Sequence, residues 1–137
     1  MAVEDQGRVA WVVIALIMER PITIFCDGNQ ARDILSVDDL LLAIDRIEAA
    51  RGQVYNMRAG AAIAISIWWE FNRIAEEVLG RPIPDPAFVP ASLEDQPVFV
   101  GDTAKVRRDF DWALTISALE GIQRLAAWVT KHRALSA

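Results

Sequence analysis

One segment constrains the fold more than any other part of the sequence. Residues 8–18 read RVAWVVIALIM, and no charged side chain follows Arg8 before the segment ends. Its length and spacing predict a helix, which Pro21 stops. A helix that is apolar on every side must be buried on every side. A chain of 137 residues has room for one domain, so this burial is hard to arrange within a single subunit.

Hydrophobic periodicity and breaker residues predict alternating helices and short strands along the rest of the chain. Strands are predicted at 22–25, 32–35, 53–57 and 97–100. Helices are predicted at 36–50, 66–80, 103–109 and from 117 onward, with capping boxes at Ser36 and Ser117. The proline-rich segment 81–96 is predicted to be an ordered surface loop. The fold class is therefore α/β (mixed α+β), with few short strands, in a single domain over 1–137.

Two of these helices carry a face whose spacing predicts that it points into the core. In the helix at 36–50 this face consists of Val37, Leu40, Leu41, Ile44 and Ile47. In the last helix it consists of Leu119, Ile122, Leu125, Ala126 and Val129.

The motifs of several enzyme classes are missing from this sequence. The seven glycines are too widely spaced for either phosphate-cradling loop, G-x-G-x-x-G or G-x-x-x-x-G-K. The single His132 and single Cys26 lie far apart in the sequence and do not suggest a triad or a zinc site. Tyr55 is followed four residues on by Ala59, so the Tyr-x-x-x-Lys pair is missing. We expect no catalytic residue, no cofactor and no metal.

Other polar and aromatic residues are expected to have ordinary structural roles. Neighbours on a helix do not face one another, so paired carboxylates such as Asp38-Asp39 are expected at the solvated surface. Cys26 follows an apolar strand and is expected to be a buried, inert thiol. The tryptophans within the predicted helices are expected to pack in the core: Trp11, Trp68 and Trp128.

Charge and composition limit the partners and the compartment. The net charge is −5 and no cluster of basic residues is present, which argues against nucleic-acid binding. The apolar run is too short to span a bilayer, and the acidic N-terminus does not resemble a secretion signal. With one cysteine, no internal disulfide can form. A cytoplasmic protein without membrane contact is expected.

Four segments, in order, resemble extended short-chain dehydrogenases that act on nucleotide sugars. Residues 21–40 resemble the P-I-T-I-Y-G-D-G-x-Q-x-R-D-x-x-x-V-D-D-L motif, and 52–56 resemble G-x-V-Y-N. Residues 95–102 resemble the D-Q-x-V-Y-V-x-D segment, and 112–128 the family's ending. Residues 4–11 resemble CDP-tyvelose (CDP-paratose) 2-epimerases in particular. The resemblance is to the C-terminal, substrate-binding part of NAD-dependent epimerases and dehydratases, and the Rossmann half is not in this chain.

The resemblance implies roles for particular residues. Thr23 and Phe25 would touch the nucleotide base, and Arg32 would bind the diphosphate. Asp95 would match the acid of the family's R-P-G-D, in which Ser92 replaces a second diphosphate arginine. Two further departures lie near the expected nucleotide site: Cys26 in place of a glycine, and the segment 58–60 in place of a glycine-rich loop.

Three functions remain open from the sequence. The favoured one is a non-catalytic piece of a nucleotide-sugar epimerase that folds and self-associates, covering its apolar helix in a homodimer. The residues expected at this interface are Val9, Trp11, Val12, Leu16 and Trp68. One alternative is a module that binds a nucleotide or nucleotide sugar. The other is a subunit that completes a split epimerase, with a separate chain supplying the Rossmann half.

Overall fold

A computed structural model describes residues 7–47, 52–90 and 96–133. Within these ranges the chain forms five α-helices, five short strands and one turn of 3₁₀ helix at Ala61–Ile63. The helices are α1 (Arg8–Ile17), α2 (Val37–Ile47), α3 (Trp69–Leu79), α4 (Ala104–Phe110) and α5 (Ala118–Lys131). The strands are β1 (Thr23–Phe25), β2 (Ala31–Asp33), β3 (Ala64–Ser66), β4 (Ala87–Val89) and β5 (Val98–Phe99). The mixed α/β class predicted from the sequence is confirmed.

The strands form two small sheets. Parallel strands β1 and β4 make one sheet, with Thr23 opposite Ala87 and Phe25 opposite Val89. In the other sheet β2 is central, antiparallel to β3 and parallel to β5. Strands β3 and β4 were not predicted. Each is three residues long and owes its pairing to a distant partner strand, which local periodicity does not reveal.

The apolar helix α1 is buried within the chain itself. It packs against α5, which also packs against α3, and the shared core continues onto β1. Val12, Val13 and Leu16 are each no more than 3% exposed, and Ile22 and Ile24 extend this core past the helix. The expectation that a second subunit is needed to cover α1 is wrong, because α5 packs on it and the core of the same chain already buries Val12, Val13 and Leu16.

The residues predicted for the dimer interface are therefore corrected. Val12, Leu16 and Trp68 lie in the core, where no second subunit can reach them. Val9 and Trp11 are half-buried against the same core. Self-association remains a prediction, but helix 8–18 does not offer the surface that was expected.

The face of α2 that points inward also differs from the prediction. Val37, Leu41 and Ile44 are 64%, 54% and 54% exposed, whereas Asp39 and Ala43 are fully buried. Asp39 and Ala43 lie four residues apart and so share one helix face. The helix is turned this way because buried hydrogen bonds to the Asp39 carboxylate hold that face inward, as described below.

Two other segments differ from the sequence prediction. Residues 52–60 are irregular rather than a strand, with Lys105 Nζ donating to the carbonyl of Val54 at 2.8 Å. The segment 81–96 is not wholly a loop, because β4 lies within it. The predicted inward face of α5 is confirmed: Ile122, Ala126 and Val129 are buried. Within the described ranges, no helix is both long enough and apolar enough to cross a membrane.

Gly28 is a position where the backbone and the packing both require glycine. Its φ is +76°, and a Cβ added there would lie 2.7 Å from Cβ of Trp68. Gly28→Ala is expected to lower the free energy of unfolding by about 3 kcal/mol, measured by urea denaturation. Gly80→Ala is the matched control, since Gly80 has φ +64° but open space around it. It should cost only about 1 kcal/mol, and an equal loss in both variants would contradict the packing argument.

Candidate functional site

A cleft of about 890 Å³ lies where β2 ends and the N-terminal ends of α1, α2 and α5 meet. Its walls are mostly apolar, with a few charged groups placed among them. Such a combination is typical of sites that bind small molecules. The apolar lining includes Val9, Ile34, Ile67, Phe99, Ile122 and Leu125, and the charged lining is Arg32, Asp33, Asp38, Arg58 and Arg124.

Arg32 is the predicted diphosphate residue, and the structure places it in the cleft wall. It lies in the middle of β2, opposite Ile65 of β3 and Phe99 of β5. The side chain is half-buried, and its Nη1 donates to the carbonyl oxygen of Ala31 at 2.8 Å. The central strand of a three-stranded sheet therefore fixes the backbone that carries this guanidinium.

The next residue, Asp33, is a buried carboxylate with four hydrogen bonds. Arg58 donates to its Oδ1 from Nε at 3.0 Å and from Nη2 at 2.6 Å. The amides of Gly60 and Gly101 donate to its Oδ2 at 2.9 and 3.1 Å. Burial raises the pKa of Asp33, but the Arg58 guanidinium and the two amides lower it by more, so the pKa lies below its usual value. This carboxylate fastens the loop at 58–60 and the start of the segment after β5 onto the end of β2.

Arginine is the commonest charged residue in the lining of the cleft. Three guanidinium groups face two carboxylates there, although the whole chain carries a net charge of −5. Arg124, at the rim, pairs with Asp38 at 2.8 Å and with Glu120 at 2.7 Å. The N-terminal ends of three helices add partial positive charge. An anionic ligand is thus the kind that this cleft suits best.

The two residues predicted to touch the nucleotide base lie on a different sheet. Thr23 and Phe25 share the exposed face of β1, next to Ala87 and Val89 of β4. Neither of them lines the cleft that holds Arg32. The fourth predicted residue, Asp95, lies outside the described residues. The structure therefore brings Arg32 together with Arg58, which the sequence analysis did not select as a site residue.

Asp39 was expected at the surface and is instead completely buried. Its Oδ1 accepts from the amide of Thr115 at 3.0 Å and from the Thr115 hydroxyl at 2.6 Å. Its Oδ2 accepts from the amide of Ile116 at 3.1 Å, and its carbonyl accepts from the indole of Trp112 at 3.1 Å. One acid of the pair thus holds the turn before α5, while Asp38 stays at the surface. No local sequence signal indicates that Asp39 is buried, because the residues that donate hydrogen bonds to it lie more than seventy positions further along the chain.

Cys26 was predicted to be a buried thiol, but it is exposed. It follows β1, and its amide donates to the carbonyl of Val89 at 2.8 Å. Its φ of +60° lies in the left-handed region that glycine adopts without strain. The backbone has therefore kept a conformation suited to the glycine that the resemblance places here.

Cys26→Gly is expected to stabilise the chain by about 1 kcal/mol, because it removes left-handed strain from a side-chain-bearing residue. Cys26→Ser should leave the stability close to unchanged, since it keeps the Cβ. Urea denaturation of the three proteins measures this difference. A Gly variant that is no more stable than the Ser variant would contradict the strain argument.

The chemistry that the cleft can offer is limited. Among the described residues that line it, none is a His, Cys, Tyr or Lys. Its carboxylates, Asp33 and Asp38, are both held in ion pairs. In the part of the chain that the structure describes, no cluster of three or more His, Cys, Asp or Glu side chains could hold a metal ion.

The chain is similar in sequence to nucleotide-sugar epimerases, as its motifs predicted. It is 29% identical over 140 residues to CDP-paratose 2-epimerase of Salmonella typhi, a match that covers 94% of this chain and 40% of that protein. It is 29% identical over 112 residues to UDP-glucuronate 4-epimerase of Thermodesulfobacterium geofontis, covering 80% of this chain and 33% of the relative. The chain thus spans less than half the length of the curated relatives it matches. No family model matches it.

Solved structures show the same fold. UDP-glucose 4-epimerase of Thermotoga maritima, crystallised with UDP-glucose, superposes with a TM-score of 0.79 at 23% identity, over 91% of this chain and 40% of that one. An epimerase of Methanothermobacter thermautotrophicus superposes with a TM-score of 0.83 at 21% identity, over 95% of this chain and 39% of that one. The present chain therefore has the fold of one portion of these enzymes.

Proposed function

From the fold that this chain shares with part of the nucleotide-sugar epimerases, we propose that it binds a nucleotide sugar and supplies none of the catalytic groups. The observation that carries the proposal is the position of Arg32. It is the residue that the resemblance assigns to the diphosphate, and it lies in the wall of a large cleft that two further arginines also line. A planar guanidinium suits two phosphate oxygens at once.

The ligand class follows from the charges and from the relatives. A nucleoside diphosphate sugar has its two negative charges in the middle, with a flat base on one side and a polar ring on the other. By the resemblance, Phe25, 48% exposed on β1, would offer an aromatic face for the base and Thr23 a hydroxyl beside it, both outside the cleft itself. By the resemblance, Asp95 would join Thr23, Phe25 and Arg32 in contacting the nucleotide diphosphate. The similarity to CDP-paratose 2-epimerase favours a CDP sugar over other nucleotides.

The non-catalytic part of the proposal rests on the groups within the cleft. Moving a proton needs a group that can gain or lose one near neutral pH. The two carboxylates there are fastened by arginines, and guanidinium groups do not release protons at physiological pH. Binding and orientation are what these residues can do. Any turnover would need groups from outside the described residues.

Titration calorimetry of Arg32 variants tests this proposal. Arg32→Ala is expected to weaken the binding of a CDP sugar by about 10- to 100-fold, the value of one or more charged hydrogen bonds. Arg108→Ala is the control, because Arg108 is exposed and, among the described residues, it forms an ion pair with its neighbour Asp109 alone. If Arg32→Ala binds as tightly as the wild type, the cleft is not the binding site.

A second candidate function, self-association, is favoured by the exposed stripe on α2. Val37, Leu41 and Ile44 lie on one helix face and are all more than half exposed. Such a stripe is typical of a helix that packs against a partner. The partner that we propose is a second copy of this chain. A separate chain completing an epimerase would use an exposed apolar surface of the same kind.

Analytical ultracentrifugation at high micromolar concentration distinguishes these states. The wild type is expected to sediment as a dimer, and Leu41→Asp as a monomer. Val54→Asp is the control, since Val54 is 82% exposed and lies off the helix. A monomeric wild type would exclude the homodimer and leave the stripe to a different chain.

A further inference from the structure

Two guanidinium groups, not one, lie on the cleft beside the end of β2. We infer that Arg58 is a second binding residue for the anionic ligand and acts together with Arg32 on neighbouring phosphate oxygens. This inference rests on the proposed function and identifies the group of the ligand that the cleft holds, a diphosphate. In the sequence, position 58 stood out only as a departure from a glycine-rich loop.

The hydrogen bonds of Arg58 leave part of its guanidinium available. Nε and Nη2 donate to the Asp33 carboxylate, and Nη2 lies 3.4 Å from the carbonyl oxygen of Phe99. Nη1 donates to no acceptor within the described ranges, and 32% of the side chain is exposed. An arginine carries five N–H donors in a fixed plane, so two remain on Nη1 for a ligand.

The Arg58 side chain is packed along its length. Its Cζ lies 4.1 Å from the centre of the Phe99 ring, a cation–π contact. Nearer the backbone, a Cβ at Gly101 would overlap Cγ of Arg58 and lie 2.6 Å from its Cβ, so only glycine leaves room for the arginine stem. Because the side chain is already ordered, binding a ligand costs little further conformational entropy.

Phe99 also places the two arginines side by side. Arg32 on β2 is paired in register with Phe99 on β5, and the guanidinium of Arg58 lies over the Phe99 ring. Neighbouring strands are about 4.8 Å apart, so the two side chains reach the cleft from adjacent positions. Two adjacent guanidinium groups match the two adjacent phosphates of a diphosphate better than one does.

The test must separate ligand binding from the structural role of Arg58 beside Asp33, and the probe is inorganic pyrophosphate. Arg58→Lys keeps the positive charge near Asp33 but loses the planar donor pair. The double variant Arg58→Met, Asp33→Asn removes both charges, so no buried charge is left unpaired. Both variants are expected to weaken pyrophosphate binding by about tenfold or more, with circular dichroism like that of the wild type.

Each outcome decides the inference. If the double variant, or Arg58→Lys, binds pyrophosphate as the wild type does while Arg32→Ala does not, Arg58 is structural only and the inference is wrong, although the proposed function stands. If the wild type binds neither pyrophosphate nor a nucleotide sugar, the proposed function fails and the inference fails with it. Should the double variant not fold, Arg58→Lys alone decides.

Discussion

Asp39→Ala is expected to lower the free energy of unfolding by about 3–5 kcal/mol. The side chain is completely buried, and it accepts hydrogen bonds from the amides of Thr115 and Ile116 and from the Thr115 hydroxyl. Removing it leaves these buried donors without an acceptor and frees the turn that leads into α5. Because α5 packs against both α1 and α3, the loss should spread through the core. Urea denaturation followed by circular dichroism measures it.

The preceding residue provides the matched control. Asp38 has the same side chain on the same helix, but it is about half exposed and its bond is to the exposed Arg124. Exposed ion pairs contribute little to stability, so Asp38→Ala should unfold at nearly the same urea concentration as the wild type. Similar losses at the two positions would show that the carboxylate of Asp39 is not the group that anchors α2.

Arg58→Ala is expected to be the second severe change, with a loss of about 3–5 kcal/mol. Its partner Asp33 has a fully buried side chain, and removing the arginine leaves that charge with two backbone amides only. Arg108→Ala is the control, because Arg108 is 71% exposed beside Asp109 and should change stability very little.

A second change tests the mechanism of this loss. Adding Asp33→Asn to Arg58→Ala should recover part of the lost stability, since the uncompensated charge is then gone. Measuring the two single variants and the double variant by urea denaturation gives the coupling energy directly. If the double variant is no more stable than Arg58→Ala alone, the penalty comes from lost packing against Phe99 rather than from the buried charge.

Local sequence signals predicted the helices well because their causes are local. The apolar run of α1, the breaker Pro21 and the Ser117 cap all act within a few residues. Ser117 Oγ accepts from the Glu120 amide at 3.2 Å, as the capping motif predicted. The motif around Arg32 likewise predicted a strand, and the structure has one at Ala31–Asp33. These features could be read from the sequence alone.

Features that depend on distant partners could not be predicted in the same way. The inward face of α2 is set by donors at 115 and 116, so the apolar spacing of Val37, Leu41 and Ile44 indicated the wrong side. The role of Arg58 is set by Asp33, twenty-five residues earlier. Burial of α1 was underestimated for the same reason, because α5, which packs on it, lies about a hundred residues further along the chain. In each case tertiary contacts decided between outcomes that the local pattern left open.

Titration of the wild-type chain with nucleotide sugars tests the central claim most directly. CDP, UDP, dTDP and GDP sugars are injected in turn, with cytidine and the free sugar as ligands that lack the diphosphate. Saturable binding that needs the diphosphate, tightest for a CDP sugar and clearly weakened in Arg32→Ala, is the expected result. No heat at millimolar concentrations of every nucleotide sugar, from a chain that circular dichroism shows to be folded, would contradict the claim that this cleft binds a nucleotide sugar.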